Sequence, residues 1–220
     1  MGLVSGQGVF RYEDSTSWQH LTTVDASLVG IDARGDVACE FSGQGVFRYE
    51  DSASWQHLTS ADASLLAMAG YGNVAVELPG QGVWRYMDST GWQQMTTGNA
   101  NLLAIDQYGD VAGDFKGQGV WRYFQGGWKQ LTSVDATSLA MAGQGLVAAD
   151  FAGQGVYRFK DDTGWQHLTS ADATQVGIDN LGNVVGEFTG QGIYLYSDAA
   201  GWPQGWQHLT GTDASELAFA

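Results

Sequence analysis

The sequence predicts an all-β fold, a six-bladed β-propeller with four antiparallel strands in each blade. Three observations support this prediction. One unit of about 37 residues recurs six times, and each copy contains four short strand-like segments bounded by Gly, Asp, Asn, Ser or Thr. No segment shows a sustained 3.6-residue apolar period, so no helix is expected. Four short antiparallel strands per repeat are typical of a propeller blade.

A Gly-Gln-Gly turn marks each copy. Its first glycine lies at positions 6, 43, 80, 117, 153 and 190, so successive copies are 37, 37, 37, 36 and 37 residues apart. A tryptophan follows in every copy, at Trp18, Trp55, Trp92, Trp128, Trp165 and Trp206. We expect these large side chains to pack between blades. In the second copy we expect strands at 55–59, 65–69, 74–78 and 83–86. The small apolar segment 65–69 is the expected innermost strand, and the tryptophan strand is the expected outermost one.

The two ends of the chain predict how the ring closes. Residues 1–5 match the second strand of a unit, and residues 216–220 match its innermost strand. We therefore expect the last strand to complete the first blade, which gives a single closed domain over 1–220 and hides two sheet edges. A linear solenoid would need atypical capping repeats, and none is seen.

The composition restricts the partners. The formal net charge is −15 with only 15% charged residues, which argues against nucleic acid and against anionic membranes, since both need basic residues. Cys39 is the only cysteine, so no intrachain disulfide can form. The N-terminus has no basic and apolar signal-peptide pattern, and no apolar run is long enough to span a membrane. We expect a soluble monomer, and the compartment stays unassigned.

Residues 119–123 (GVWRY), 127–131 (GWKQL), 139–141 (LAM) and 145–147 (GLV) carry a family resemblance. This order resembles the tectonin or tachylectin-like propeller repeat, and the resemblance extends over the whole chain. Members of that family are often carbohydrate-binding proteins, so the resemblance implies sugar binding. It supplies no individual ligand residues.

The units are also similar, more weakly, to integrin-type FG-GAP propeller repeats, which carry a calcium loop between the first and second strands. The corresponding turns here are 32–36 (DARGD), 106–110 (DQYGD) and 179–183 (DNLGN). Calcium takes six to eight oxygen ligands, and these turns offer too few carboxylates. We therefore predict no calcium, no other metal and no cofactor.

Comparison of the six copies predicts where a ligand would bind. Antiparallel strand order places the Gly-Gln-Gly turn and the Thr-x-x-Asp-Ala loop at one end of each sheet, which we call the first rim. The second rim carries the turn after the innermost strand and the variable loop before the tryptophan. The first rim keeps its polar residues in all copies, which are Gln7, Gln44, Gln81, Gln118, Gln154, Gln191, Asp25, Asp62, Asn99, Asp135, Asp172 and Asp213.

Two interpretations of these residues stay open. They could hydrogen-bond backbone groups of adjacent blades and lock them together. Alternatively, they could line six equivalent shallow pockets, where directional hydrogen bonds beside an aromatic ring suit a sugar.

Acidic and basic residues are also repeated. A three-residue Gly-Gln-Gly turn would place Glu40 opposite Arg48, and likewise Glu77 and Arg85, Asp114 and Arg122, and Asp150 and Arg158, as neutralising cross-strand pairs. The same register puts Glu187 opposite Leu195 and Arg11 opposite Leu3. The four histidines, His20, His57, His167 and His208, follow the tryptophans and are too dispersed to share a metal. We expect them to be partly exposed polar residues of the outer strand.

No catalytic motif breaks the symmetry, so we expect no enzyme activity and no catalytic residue. The leading hypothesis is a multivalent carbohydrate-binding protein with repeated weak sites on the first rim. The alternative is a structural or scaffold propeller without a native ligand, either recently amplified, reconstructed or engineered. The near-identity of 6–21 and 43–58, which differ only at Thr16 and Ala53, fits duplication and design equally.

Overall fold

The computed structural model describes residues 2–4, 6–13, 17–198 and 204–214 and is all-β within them, apart from one 3₁₀ turn at Gly143–Gly145. That turn was not expected from the sequence. The chain divides into two compact units, Met1–Asn99 and Ala100–Ala220. Within the described residues no helix is long and apolar enough to cross a membrane.

The first unit contains three antiparallel sheets, with strand orders β1-β2-β3, β4-β5-β6-β7 and β8-β9-β10-β11. Short Gly-rich turns connect consecutive strands, as expected for hairpins. The bounds are β1 Gly2–Val4, β2 Gly8–Glu13, β3 Ser17–Thr22, β4 Leu28–Ile31, β5 Val37–Phe41, β6 Gly45–Glu50, β7 Ser54–Thr59, β8 Leu65–Ala69, β9 Asn73–Leu78, β10 Gly82–Met87 and β11 Gly91–Thr96.

The second unit contains three four-stranded antiparallel sheets, ordered β12-β13-β14-β15, β16-β17-β18-β19 and β20-β21-β22-β23. In the first unit, the four segments predicted for the second copy of the repeat correspond to β7, β8, β9 and β10. The bounds are β12 Leu102–Ile105, β13 Val111–Phe115, β14 Gly119–Phe124, β15 Gly127–Gln130, β16 Ser138–Ala142, β17 Leu146–Phe151, β18 Gly155–Lys160, β19 Gly164–Thr169, β20 Gln175–Ile178, β21 Val184–Phe188, β22 Gly192–Ser197 and β23 Gly205–Thr210.

Within each unit, neighbouring four-stranded sheets pack through the strands predicted to be innermost. β4 packs against β8, and β16 packs against both β12 and β20. Close approach requires small residues here, because a Cβ added to Gly30 would lie 2.9 Å from the Cβ of Met68. The predicted pairing of 216–220 with the first sheet lies outside the described residues. β1 does pair with β2, in the second-strand position that was predicted.

The predicted acid–base register is wrong. The loop between β5 and β6 is Ser42 to Gln44, so that Phe41 pairs with Gly45, Glu40 with Val46 and Ala38 with Arg48. The same two-residue offset separates the acid and the arginine in the copies at Arg85, Arg122 and Arg158. It also separates Glu187 from Leu195 and Arg11 from Leu3, since Glu187 pairs with Ile193 and Leu3 with Val9.

Four buried arginines instead connect neighbouring sheets within each unit on the second rim. The Nη1 of Arg48 donates to the Gly72 carbonyl at 2.8 Å, and its Nη2 donates to Asp88 at 2.7 Å and to Gln56 at 2.9 Å. Its guanidinium also lies 5.4 Å from the ring centroid of Tyr86. Arg11, Arg122 and Arg158 repeat the carbonyl and aspartate contacts with Gly35 and Asp51, Gly145 and Asp161, and Gly182 and Asp198.

A second link between sheets uses the tryptophan. A β-bulge leaves one leucine of the tryptophan strand without a ladder partner, as at Leu21 between the pairs Val9–Thr22 and Phe10–His20. Its carbonyl accepts a hydrogen bond from Trp55 Nε1 of the next sheet, at 3.2 Å. The same bond recurs from Trp92 to Leu58, from Trp165 to Leu131 and from Trp206 to Leu168. The tryptophans therefore tie neighbouring sheets together within each unit.

One buried carboxyl of the second rim gives a pH prediction. Asp106 is 1% exposed, its Oδ1 accepts hydrogen bonds from the backbone N–H groups of Tyr108 and Asp110, and its buried Oδ2 has no partner within the described residues. Burial raises the pKa of Asp106 from 3.8 to about 6. Because the pKa is higher in the folded state, stability should fall as pH rises from about 4 to about 6 and stay lower above that range.

We expect Asp106→Asn to raise the free energy of unfolding by about 2 kcal/mol at pH 8 and to change it little at pH 3. Urea denaturation at the two pH values measures this difference. Asp179→Asn is the matched control, since Asp179 Oδ2 already accepts a hydrogen bond from Asn183 at 2.7 Å. An equal gain for Asp106→Asn at both pH values would contradict the electrostatic explanation.

Candidate ligand clefts on the first rim

The Gly-Gln-Gly turn presents its glutamine to solvent. In the second copy the Gln44 N–H donates to the Phe41 carbonyl at 2.8 Å, and Gly43 and Gly45 have φ of +75° and +87°. The glycines are therefore needed for the backbone, whereas the glutamine is not. All six turn glutamines are exposed, and none of their side chains makes a hydrogen bond within the described residues.

The aspartates of the first rim anchor this turn. Asp25 accepts hydrogen bonds from the backbone N–H groups of both Gly6 and Gly8, at 2.7 and 2.9 Å. The other four aspartates make bonds of the same kind, from Gly43 to Asp62, from Gly117 and Gly119 to Asp135, from Gly153 and Gly155 to Asp172, and from Gly190 and Gly192 to Asp213. Asn99 is the sixth member and is exposed after β11.

Each of these hydrogen bonds joins two segments of the same sheet. The first interpretation of the rim residues, in which they lock adjacent blades together, placed the bonds between sheets. Each aspartate fixes the segment that leaves a sheet to the turn of that same sheet. The carboxylates therefore have a structural role, and a ligand role for them stays a prediction.

The residue two positions after the tryptophan also contacts the Gly-Gln-Gly turn in three copies. His20 Nε2 lies 3.0 Å from the Gln7 carbonyl. Where glutamine replaces histidine, Gln94 Nε2 donates to the Gln81 carbonyl and Gln130 Nε2 donates to the Gln118 carbonyl, both at 2.8 Å. The histidines were predicted only as polar residues of the outer strand. The structure adds the contact of His20 with the turn, and it places all four imidazoles against an aromatic ring of the neighbouring strand.

A cleft opens beside Gln44 in the first unit. Its volume is about 170 Å³, and it is lined by Thr22, Val24, Phe41, Gln44, Phe47 and Trp55. The threonine and valine come from the preceding sheet, and the other four residues come from the sheet that carries the turn. The Phe41 ring lies edge-on to Phe47 and Trp55, with centroids 5.5 and 5.6 Å apart. The cleft thus combines three aromatic side chains with one exposed amide.

An equivalent cleft opens beside Gln191 in the second unit. Its volume is about 190 Å³, and it is lined by Thr169, Ala171, Phe188, Gln191, Tyr194 and Trp206. Position by position these residues match the first cleft, with tyrosine in place of Phe47 and alanine in place of Val24. Two independent copies therefore build the same concave site around the turn glutamine.

Sequence comparison found the glutamine of this cleft and expected an aromatic ring beside it, but it did not identify the three rings that form the walls. The tryptophans were predicted to pack between blades, and they do so while also lining the clefts. The signal was present in the sequence, since an aromatic residue follows Gly-Gln-Gly-Val or Gly-Gln-Gly-Ile in all six copies. Repetition alone cannot separate packing from ligand contact when one ring does both.

Acidic groups lie close behind the rim. Burial raises the pKa of Glu40, and the adjacent Asp62 carboxylate raises it further. Burial and Asp213 have the same effect on the pKa of Glu187. Burial also raises the pKa of the Cys39 thiol to about 12, which makes it a poor nucleophile. Among the described residues, no group of three His, Cys, Asp or Glu side chains could hold a metal ion.

No protein-family profile and no curated protein sequence matches this chain. Solved structures are similar to it. YCF48 bound to D1 peptide aligns with a TM-score of 0.60 at 16% identity, over 88% of this chain and 72% of that protein. A GH74 xyloglucanase from Xanthomonas campestris aligns at 0.59 and 20% identity, over 81% of this chain and 31% of the enzyme.

A gluconolactonase from Xanthomonas campestris also aligns, with a TM-score of 0.53 at 15% identity, over 86% of this chain and 78% of the enzyme. Together with the repeated antiparallel sheets, these similarities establish a β-propeller repeat fold. At such low identities they show the fold alone. The tectonin-like assignment stays a prediction.

Proposed function

We propose that this protein is a multivalent carbohydrate-binding propeller, lectin-like, and that its binding sites are the clefts between neighbouring sheets on the first rim. One observation carries the proposal: the Gln44 and Gln191 clefts, in different units, repeat the same set of an exposed glutamine, a threonine and three aromatic rings.

The chemistry of these clefts suits a pyranose ring. A sugar presents an apolar face of C–H groups, which packs against aromatic rings, and a rim of hydroxyls, which need directional partners. The Gln44 amide offers both a donor and an acceptor, and the aromatic walls provide the apolar surface. No basic residue lines either cleft, so neutral sugars are favoured over phosphorylated or sulfated ones.

Several weak sites on one chain gain from avidity. A shallow cleft for one sugar ring binds weakly by itself, because it buries little area. Multivalent presentation of the sugar raises the apparent affinity when more than one site can engage at once. The proposal therefore concerns glycan-coated surfaces more than free monosaccharides.

A glycan array together with red-cell agglutination tests the proposal. We expect the wild-type protein to bind a subset of neutral glycans, and the variant with all six turn glutamines replaced by alanine to lose that binding while keeping its urea unfolding curve. Ser52→Ala, at an exposed position of the second rim, is the matched control. The absence of binding by folded wild-type protein across a broad array would overturn the lectin proposal.

We propose further that the six copies are six blades, with 216–220 completing the first sheet. The support is that β1-β2-β3 has three strands where the other five described sheets have four. A chain truncated after residue 214 should unfold at lower urea concentration, and adding a synthetic peptide of residues 215–220 should restore part of the loss. An unchanged unfolding midpoint would contradict this closure.

One observation supports the scaffold alternative: the aspartates of the first rim accept hydrogen bonds from the glycines of the turns. It predicts a folded protein that binds no glycan. We also propose that the protein is not an enzyme, although two of the similar folds are enzymes. Hydrolysis of xyloglucan or gluconolactone by purified protein would contradict this proposal.

A further inference from the structure

Two positions of the repeat vary together. The aromatic residue after the turn is phenylalanine or tyrosine wherever its partner on the tryptophan strand is histidine, and it is tryptophan wherever that partner is glutamine. The four histidine pairs are Phe10–His20, Phe47–His57, Tyr157–His167 and Tyr194–His208, and the two glutamine pairs are Trp84–Gln94 and Trp121–Gln130.

The histidine pairs have a common geometry. The rings are direct cross-strand neighbours, and their centroids lie 4.5 to 4.8 Å apart. The imidazole is thus in direct contact with the phenylalanine or tyrosine ring. In the Trp84 copy the amide of Gln94 donates to the turn carbonyl beside the larger indole. Histidine therefore accompanies the smaller phenyl or phenol ring, and glutamine accompanies the larger indole.

The indole changes the cleft beside Gln81. By position this cleft is formed by Thr59, Ala61, Leu78, Trp84 and Trp92. It therefore differs from the Gln44 cleft in having alanine for Val24, leucine for Phe41 and tryptophan for Phe47. Ala61, Trp84 and Trp92 all pack against the buried cluster that contains Leu78. The Trp84 Nε1 atom is buried and has no hydrogen-bond partner within the described residues, so its polar edge faces into packed protein.

We infer that the clefts belong to two classes, and that the aromatic residue paired across the strand decides which. A cleft with phenylalanine or tyrosine packed against histidine is open to a sugar, whereas the cleft with Trp84 and Gln94 is filled by its own indole and does not bind. This inference rests on the proposed function and refines it, because it makes the sites unequal in a repeat that otherwise looks uniform.

The tryptophan at the back of each cleft allows a site-resolved test. In ¹H–¹⁵N spectra of the full chain, the indole N–H signals of Trp55, Trp92 and Trp206 report separately on the clefts at Gln44, Gln81 and Gln191. The probes are methyl β-D-glucopyranoside and methyl β-D-galactopyranoside. We expect one of these glycosides to shift the Trp55 and Trp206 signals and to leave the Trp92 signal in place.

Exchanging the aromatic residue and its cross-strand partner should convert a cleft that does not bind into one that does, and the reverse exchange should do the opposite. Leu78→Phe/Trp84→Phe/Gln94→His rebuilds the aromatic walls of the Gln44 cleft, and we expect the Trp92 signal to titrate with a Kd within about threefold of that at Trp55. In the reverse direction, Phe47→Trp/His57→Gln should weaken binding at Trp55 by at least about tenfold. The Trp206 signal is the internal control in both variants, and it also reports whether the protein remains folded.

The outcomes separate this inference from the proposed function. A wild-type Trp92 shift as large as that of Trp55 would overturn the two classes while leaving carbohydrate binding intact. A titrating Trp92 signal in the rebuilt variant, with none in the wild type, would support them. If neither glycoside shifts any indole signal and the glycan array is also blank, the proposed function fails, and the inference fails with it.

Discussion

Replacing Arg48 by alanine should lower the free energy of unfolding by about 3–5 kcal/mol. The side chain is 2% exposed and connects two sheets through the Gly72 carbonyl, Asp88 and the Tyr86 ring. Truncation leaves these acceptors without their donor and opens a cavity between the sheets. Urea denaturation measures the loss.

Two controls identify the cause. Arg34→Ala removes an arginine that is half-exposed and pairs with Asp36 at 2.8 Å within its own turn. It contacts the next sheet through the exposed Tyr71 ring, whose centroid is 5.5 Å away, so the substitution should cost about 0–1 kcal/mol. Arg48→Lys keeps the charge but loses the planar fork that reaches carbonyl and carboxylate together, so it should recover only part of the stability. Equal losses for Arg34→Ala and Arg48→Ala would show that the link between sheets is unimportant.

Gly155→Ala should cost at least about 3 kcal/mol. Gly155 has φ of +82°, and an added Cβ would lie 2.1 Å from the Thr169 carbonyl oxygen and 2.7 Å from the Ser170 carbonyl carbon. These are backbone atoms, which cannot turn aside as a flexible side chain could. The turn, the bulge opposite it and the Asp172 anchor would all have to shift.

Gly153→Ala in the same turn is the matched control. Its φ is +71°, but nothing lies within 4 Å of the added Cβ, so only the left-handed backbone strain of about 1–2 kcal/mol applies. Thermal and urea unfolding of the two variants should rank Gly155→Ala well below Gly153→Ala. Similar stabilities would mean that the turn relaxes freely.

The strands and the two rims could be predicted because six copies repeat the same local signals, so that turn glycines and aromatic runs stand out above the variation. The register of the two strands that flank each Gly-Gln-Gly turn could not be predicted in this way. The predicted pairing of Glu40 with Arg48 is two residues away from the observed pairing with Val46. A shift of two residues leaves every side chain on the same face of the sheet, so the apolar pattern is equally satisfied by both registers. Only the backbone of Gly45, which begins β6 with positive φ, selects one.

The candidate site was predicted in part for a related reason. Gln44 and Gln191 were found because a turn does not require glutamine, and their conservation among copies therefore needed another explanation. Trp55 was assigned to packing because an aromatic ring satisfies the apolar pattern whether or not one of its faces is open. The aspartates could not be distinguished from ligand residues, because a carboxylate that holds a turn and one that binds a sugar have the same sequence signature.

The hydrogen bond from Trp55 Nε1 to the bulged Leu21 bears on how such a chain can lengthen during evolution. At four junctions within the two units, one copy supplies the tryptophan donor and the copy before it supplies the leucine acceptor. A tandem duplication of one copy therefore creates a new junction whose two sides already fit, with no compensating mutation. Extra repeats can be gained by recombination before selection has refined them, and the single difference between 6–21 and 43–58 is what such a recent event would leave.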